Sequence, residues 1–272
     1  MQASFFAGEN SFMQYISPQA TLEPGVFVGR NVAILGPCII KHGTIIEDNC
    51  IIGKPSRLQL ADLAAQLDQS NAPIDYQVYD KLVSTSTVIG EKSLIHSGTI
   101  IYSGVQLGRE SMCEDRVVIR WDTTIGDYTK VLRNGFVGAK VTIGAYCHIG
   151  NMVGNDTVIG NYTTSFGELV HQFLVLGSGE QTDTYSQYDV GGKDPAPYIG
   201  DYVTIGSKAL VVGGVTIESR SFVAAGAIVT KDIPTGTLVM GTNQHHSIMD
   251  LDGSLKDSYL SILASSKPDT DK

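Results

Sequence analysis

A stacked all-β solenoid is the fold this sequence predicts. Three observations predict it: an aliphatic residue at every sixth position, a small or β-branched residue four places later, and a turn-forming remainder. Ile16, Leu22, Val28, Ile34, Ile40, Ile46 and Ile52 keep the six-residue interval without exception, and the first six are followed by Ala20, Val26, Val32, Cys38, Thr44 and Cys50. The same beat returns from Ile89 through Ile119 and Ile143 to Ile149, and again from Ile199 to Val229. Six is not the 3.6 period of a helix, and positions i and i+4 share one parity, so both face inward from a short strand. The rest of each unit, as in IGDY, IGAY and IGNY, is corner chemistry. Three units close one coil of eighteen residues. Coils stacked at roughly 4.8 Å satisfy each other's backbone N–H and C=O groups.

The elements follow in order along the chain. Residues 1–15 form a lead-in and 16–241 the column, with an insertion at 54–84. In that insertion Leu60, Leu63, Ala64 and Leu67 stand at helical spacing, which predicts a helix lying against the coil wall. The beat stops after Ile149 and resumes at Ile199, and the Gly-, Asp- and Ser-rich stretch between predicts a loop excursion over 165–197. Interruptions of a monotonous wall are where chemistry concentrates, so this loop is expected to wall the active site. Residues 242–272 are expected to cap the open end, with Leu255, Tyr259, Ile262 and Leu263 on one helical stripe and a polar, frayed end from Ser265.

Composition narrows the partners. The 272 residues include 30 Gly, only 17% are charged, and the net charge is -9, so the long-range field repels polyanions and nucleic acid is not an expected partner. There is no apolar run near the ~18 residues of a membrane span and no basic start to a secretory leader, so a cytoplasmic protein without a membrane partner is expected. Cys38, Cys50, Cys113 and Cys147 form no CxxC pair and are expected as reduced core residues.

The hexads IGDYVT, IGSKAL, VGGVTI and VAAGAIVTKDIP resemble those of the hexapeptide-repeat transferases. The likeness covers roughly residues 16–241, and VTKDIP followed by VMG is its most specific stretch. This resemblance implies the left-handed hand of a parallel β-helix, a homotrimer, and transfer of an acyl group from acetyl-CoA or another acyl-CoA, without a metal. GNMVGNDTVIGNY is similar to a coil of amino-sugar N-acetyltransferases that act on nucleotide-linked sugars, so the implied acceptor is an amine or hydroxyl of a nucleotide-linked sugar.

Acyl transfer needs a base for the acceptor's proton, and histidine suits that task near neutral pH. His171 in SFGELVHQF is the position the resemblance implies for the base, with His148, Asn151, Asn155, Glu168 and Gln172 around the acceptor. Some members of the group rely on an acceptor amine delivered unprotonated, in which case Asn151 and Asn155 orient it. The resemblance places the pantetheine arm along Ser207, Ala209, Ala225 and Gly226, with Lys231 meeting a phosphate. His42, His96, His245 and His246 read as surface residues. Two rival readings are a non-catalytic scaffold, suggested by GTNQ at 241–244 where the family usually has GNPA, and a γ-type carbonic anhydrase, which would need several zinc-binding histidines.

Overall fold

The computed structural model describes residues 14–67, 76–170, 195–241 and 244–250, with 253, 256–257 and 260–261 near the C-terminus. Short strands, most of two residues, build three long sheets of ten, nine and eleven strands. The chain visits the sheets in turn. Sheet A runs from Tyr15–Ile16 to Ile228–Val229, sheet B from Thr21–Leu22 to Thr216–Ile217, and sheet C from Phe27–Val28 to Gln244–Ser247. Apart from the last strand of sheet C, neighbours within each sheet are parallel and typically eighteen residues apart, as in Ile100↔Val118 and Val118↔Phe136. This is the three-sided β-helix that the hexads predict.

The beat accounts for the core. Ile34, Ile40, Ile46, Ile52, Ile89, Ile95, Ile101 and Ile119 are all fully buried, each contributing about 1.5–3 kcal/mol by removal from water. The i+4 position is also inside, and where it holds a hydroxyl that group donates to a backbone carbonyl: Thr44 to Gly90 at 2.9 Å, Thr123 to Gly138 at 2.8 Å, Thr163 to Gly200 at 2.9 Å. These hydroxyls thus sit in the column without a desolvation debt. The four cysteines are free and buried. Burial pushes the Cys38 thiol up to about 12, Cys50 to about 11 and Cys113 to about 12.

Corners carry the strain. At the B/C edge Tyr128, Tyr146, Tyr162 and Tyr202 hold φ between 55° and 59°, a left-handed conformation uncommon for aromatic residues. Their rings stack along the column at 4.8, 4.9 and 4.9 Å, with planes within 11° of parallel. Arg109 and Arg220 close the two ends of this stack at 5.4 and 5.7 Å from the outer rings. The rise from coil to coil, roughly 4.8 Å, is close to the ring spacing a stack prefers, which offsets the backbone cost.

Two expectations change. The beat does not stop at Ile149: strands Met152–Val153, Val158–Ile159, Thr164–Ser165 and Glu168–Leu169 continue the column. It shifts phase instead, because two successive C/A corners have lost two residues each, leaving Gly150–Asn151 and Phe166–Gly167 where four residues normally stand. Strand partners there are sixteen apart, Phe136↔Met152 and His148↔Thr164. A search for intervals of six loses the pattern at the first missing pair, and the column runs through Leu169 beyond the expected boundary at 165. The expected helical cap opens on a strand, Gln244–Ser247, antiparallel to Thr237–Met240, followed by a 3-10 turn at Ile248–Asp250 with Ile248 buried. Helical backbone appears at 256–257 and 260–261. Leu255, Tyr259, Ile262 and Leu263 lie outside the described residues.

The insertion at 54–84 forms two helices, α1 (Arg57–Leu67) and α2 (Tyr76–Lys81). Ser56 and Gln59 make a reciprocal cap on α1: Gln59 N donates to Ser56 Oγ at 3.4 Å and Ser56 N to Gln59 Oε1 at 2.8 Å. Asp80 of α2 is buried and accepts from Ser17 Oγ at 2.8 Å and Gly36 N at 2.6 Å. These bonds seat α2 on the coil wall; the helix that the sequence predicts is α1, whose Leu63 is buried.

Candidate functional site on the C/A edge

The two shortened corners stack on one another, so they cut back the C/A edge over two consecutive coils. Leu132–Gly135 lies at the coil on one side, and Ser207 and Lys208 lie at the coil on the other. Asn151, held at φ 60°, donates from Nδ2 to Phe166 O at 2.6 Å and ties the two short corners together. A Cβ on Gly150 would stand 3.2 Å from Phe166 Cδ1, a tight contact that a small shift of that ring would relieve. Gly167 is tighter: its Cβ would meet Ala209 O and Ile205 Cγ2, both at 2.7 Å. Local crowding therefore fixes the short corner.

Several expected site residues share this edge. His148 is exposed on sheet C two residues before Gly150, between Lys130 and Thr164 in the outward row. Glu168 is exposed on sheet A immediately after Gly167. Ser207, Ala225 and Gly226 are exposed at the C/A corners of the following coils. Among the described residues, its chain neighbours aside, no atom lies within 4 Å of the place where a Cβ on Gly226 would stand, so the lane beside Ser207 and Ala225 has room for a slender ligand.

Others lie elsewhere. Ala209 is wholly buried in the core and cannot line the lane: it stands four places after Ile205, an inward position, and its carbonyl accepts from Glu168 N at 2.8 Å. Asn155 stands on the A/B edge, where its Oδ1 accepts from Ala139 N at 2.9 Å. Asn161 does the same for Ala145 N at 2.9 Å, so Asn155 is one rung of a corner-fixing pattern rather than an acceptor ligand. Lys231 is exposed beyond the sheet A strand Ile228–Val229, on the A/B side. His171 and Gln172 lie outside the described residues, directly after Val170.

Farther along the same C/A edge is a cluster that the sequence did not single out. Glu47, His96 and Asp115 come from three successive coils and present donor atoms within 4.8 Å of one another. His96 Nδ1 is 3.4 Å from Glu47 Oε1, and Glu47 Oε2 accepts from Ser97 N at 3.0 Å and Ser97 Oγ at 2.9 Å. Beside it opens a cavity of about 480 Å³ lined by Asn49, Ser97, Gly98, Asp115, Arg116 and Arg133. His42, in contrast, is spent on a contact of 2.6 Å between its Nδ1 and Pro24 O.

Among the described residues no helix is long and apolar enough to cross a membrane. A family model described as the hexapeptide repeat of succinyl-transferase matches residues 198–231. The bifunctional protein GlmU of Alkaliphilus metalliredigens is 25% identical over 235 residues, covering 86% of this chain and 42% of that protein. GlmU of Nostoc is 29% identical over 190 residues, covering 64% and 41%. The chain thus spans less than half the length of these curated relatives. Among solved structures, LpxA from Acinetobacter baumannii shares 14% identity with a TM-score of 0.39, covering 95% of this chain and 78% of that one. PerB from Caulobacter crescentus, solved with CoA and GDP-perosamine, shares 18% identity with a TM-score of 0.26, covering 73% and 67%. A hexapeptide repeat is thus matched over residues 198–231, within a three-sheet coil that carries the same six-residue beat along most of its length.

Proposed function

We propose that this protein transfers a small acyl group, acetyl in the first instance, from acyl-CoA to an amine or hydroxyl of a nucleotide-linked sugar. The observation that carries the reading is the cut-back C/A edge, which gathers His148, Asn151 and Glu168 directly beside the open lane at Ser207, Ala225 and Gly226. Clefts between columns of a homotrimer complete the site in this reading, with the segment after Val170 as one wall.

The donor supplies a thioester. The acceptor nitrogen or oxygen attacks its carbonyl carbon, a C–N or C–O bond forms, the C–S bond breaks, and the acceptor's proton passes to a histidine before the thiolate takes one up. His171 is the base in this proposal, with Gln172 beside it, and His148 and Glu168 hold the acceptor. Asn151 still offers its Oδ1 to a sugar hydroxyl while its Nδ2 keeps the corner closed. Ser207, Ala225 and Gly226 hold the slender arm of the donor. Exposed Lys208 stands on the same edge as a point charge for a phosphate.

The test is a panel of acyl-CoA donors and nucleotide-linked amino and neutral sugars, read as free thiol. Acceptor-dependent thiol release is expected, with His171→Ala at least ~10²-fold slower. Absence of donor binding at millimolar acetyl-CoA would replace this reading with a non-catalytic scaffold.

A further inference from the structure

We propose that Glu47, His96 and Asp115 form a binding site for a divalent transition-metal ion such as Zn²⁺ or Co²⁺, one ion per chain, on the C/A edge away from the shortened corners. The donor set is one imidazole and two carboxylates, the mixture of nitrogen and oxygen that borderline divalent metals accept. Distances agree with such a centre. A tetrahedral ion with ligands at about 2.0–2.1 Å separates neighbouring donor atoms by about 3.3 Å, and His96 Nδ1 to Glu47 Oε1 is 3.4 Å. The widest separation in the cluster is 4.8 Å or less, so a modest side-chain rotation completes the set.

The surroundings favour an ion as well. Glu47 is already oriented through its other oxygen, which accepts from Ser97 N and Oγ, the kind of outer support that metal-binding carboxylates carry. Among the described residues His96 Nε2 is buried with no hydrogen-bond partner, and the Glu47 contact is the one polar contact of that side chain. The imidazole is therefore not consumed by an ordinary structural network. Arg133 Nε stands 3.4 Å from Asp115 Oδ2, and Arg116 and Arg133 both line the adjoining cavity, so an ion binding Asp115 displaces a guanidinium from it. The adjoining cavity gives access for the ion and room for water in the remaining positions.

Titrating the full-length protein with Co²⁺ tests this, read by the visible bands of a protein-bound ion, with the thermal midpoint in Zn²⁺ as a second readout. Saturation at one equivalent is expected. His96→Ala and Asp115→Asn should each weaken binding at least ~10-fold, while replacing His245 and His246 by Ala should leave it unchanged. Arg133→Ala should bind several-fold tighter, because the competing guanidinium is gone, an effect that a purely structural cluster does not produce. No saturable spectrum up to ~1 mM ion, or one that survives His96→Ala in a protein of unchanged thermal midpoint, overturns the proposal.

Discussion

Tyr146 lies inside the aromatic stack on the B/C edge, and its replacement separates two opposing contributions. Tyr146→Ala removes two stacked neighbours, at 4.8 and 4.9 Å. At about 0.5–1.5 kcal/mol for each aromatic pair, the loss is about 1–3 kcal/mol, and the exposed half of this ring places it in the lower part of that range. Alanine keeps the left-handed backbone at φ 59°. Tyr146→Gly loses the same stacks but relieves about 1–2 kcal/mol of conformational strain, set against about 0.5–1 kcal/mol of extra chain entropy in the unfolded state. The glycine variant should therefore be the more stable of the two by about 0.5–1 kcal/mol. Urea unfolding followed by circular dichroism measures each, and a double-mutant cycle of Tyr146→Ala with Tyr162→Ala should give a coupling of about 0.5–1.5 kcal/mol. A coupling near zero, or an alanine variant more stable than the glycine one, would refute the account of how stacking offsets the strained corners.

Ser165 takes the place of an aliphatic residue between Ile149 and Ile205, and its Oγ is buried without a partner among the described residues; Ser165→Ala should raise stability by about 1 kcal/mol in the same unfolding assay. Gly167→Ala should lower it by about 1–3 kcal/mol, since its Cβ would stand 2.7 Å from the Ala209 carbonyl. The buried thiols titrate above their unfolded value of 9.0, Cys50 at about 11 and Cys38 and Cys113 at about 12. Their contribution is therefore fully present below pH 9 and is lost as pH rises through 11 and 12, so the unfolding midpoint should fall steadily above pH 9. At pH 8 a thiol reagent should label none of the four in the folded chain and all of them in denaturant, with labelling counted by mass spectrometry.

The column was legible because each hexad carries its own inward pair, and the same arithmetic already places Ala209 inside, four residues after Ile205. Reading Ala209 as a groove residue gave the resemblance more weight than the period. The shortened corners were harder: dropping two residues at Gly150–Asn151 keeps every side chain on its face but breaks the count, so a change of phase looks like a loop. The acidic and imidazole cluster was hidden for another reason. Glu47 and His96 are forty-nine residues apart in the chain and one coil apart in space, with Ile45 paired to Leu94. Only subtracting the helical insertion brings them into register. Asn155 shows the converse: its residue type suits a sugar ligand, but a corner needs the same amide to accept from the backbone one coil away.

Both departures from the column leave by the same edge, one between Ile51–Lys54 and Val88–Ile89 and the other between Glu168–Leu169 and Tyr198–Ile199, each crossing from sheet A to sheet B. That side is a seam. Segments can be lengthened, trimmed or nicked there while the rungs above and below still meet, and the ring stack on the opposite corner never has to accommodate the change.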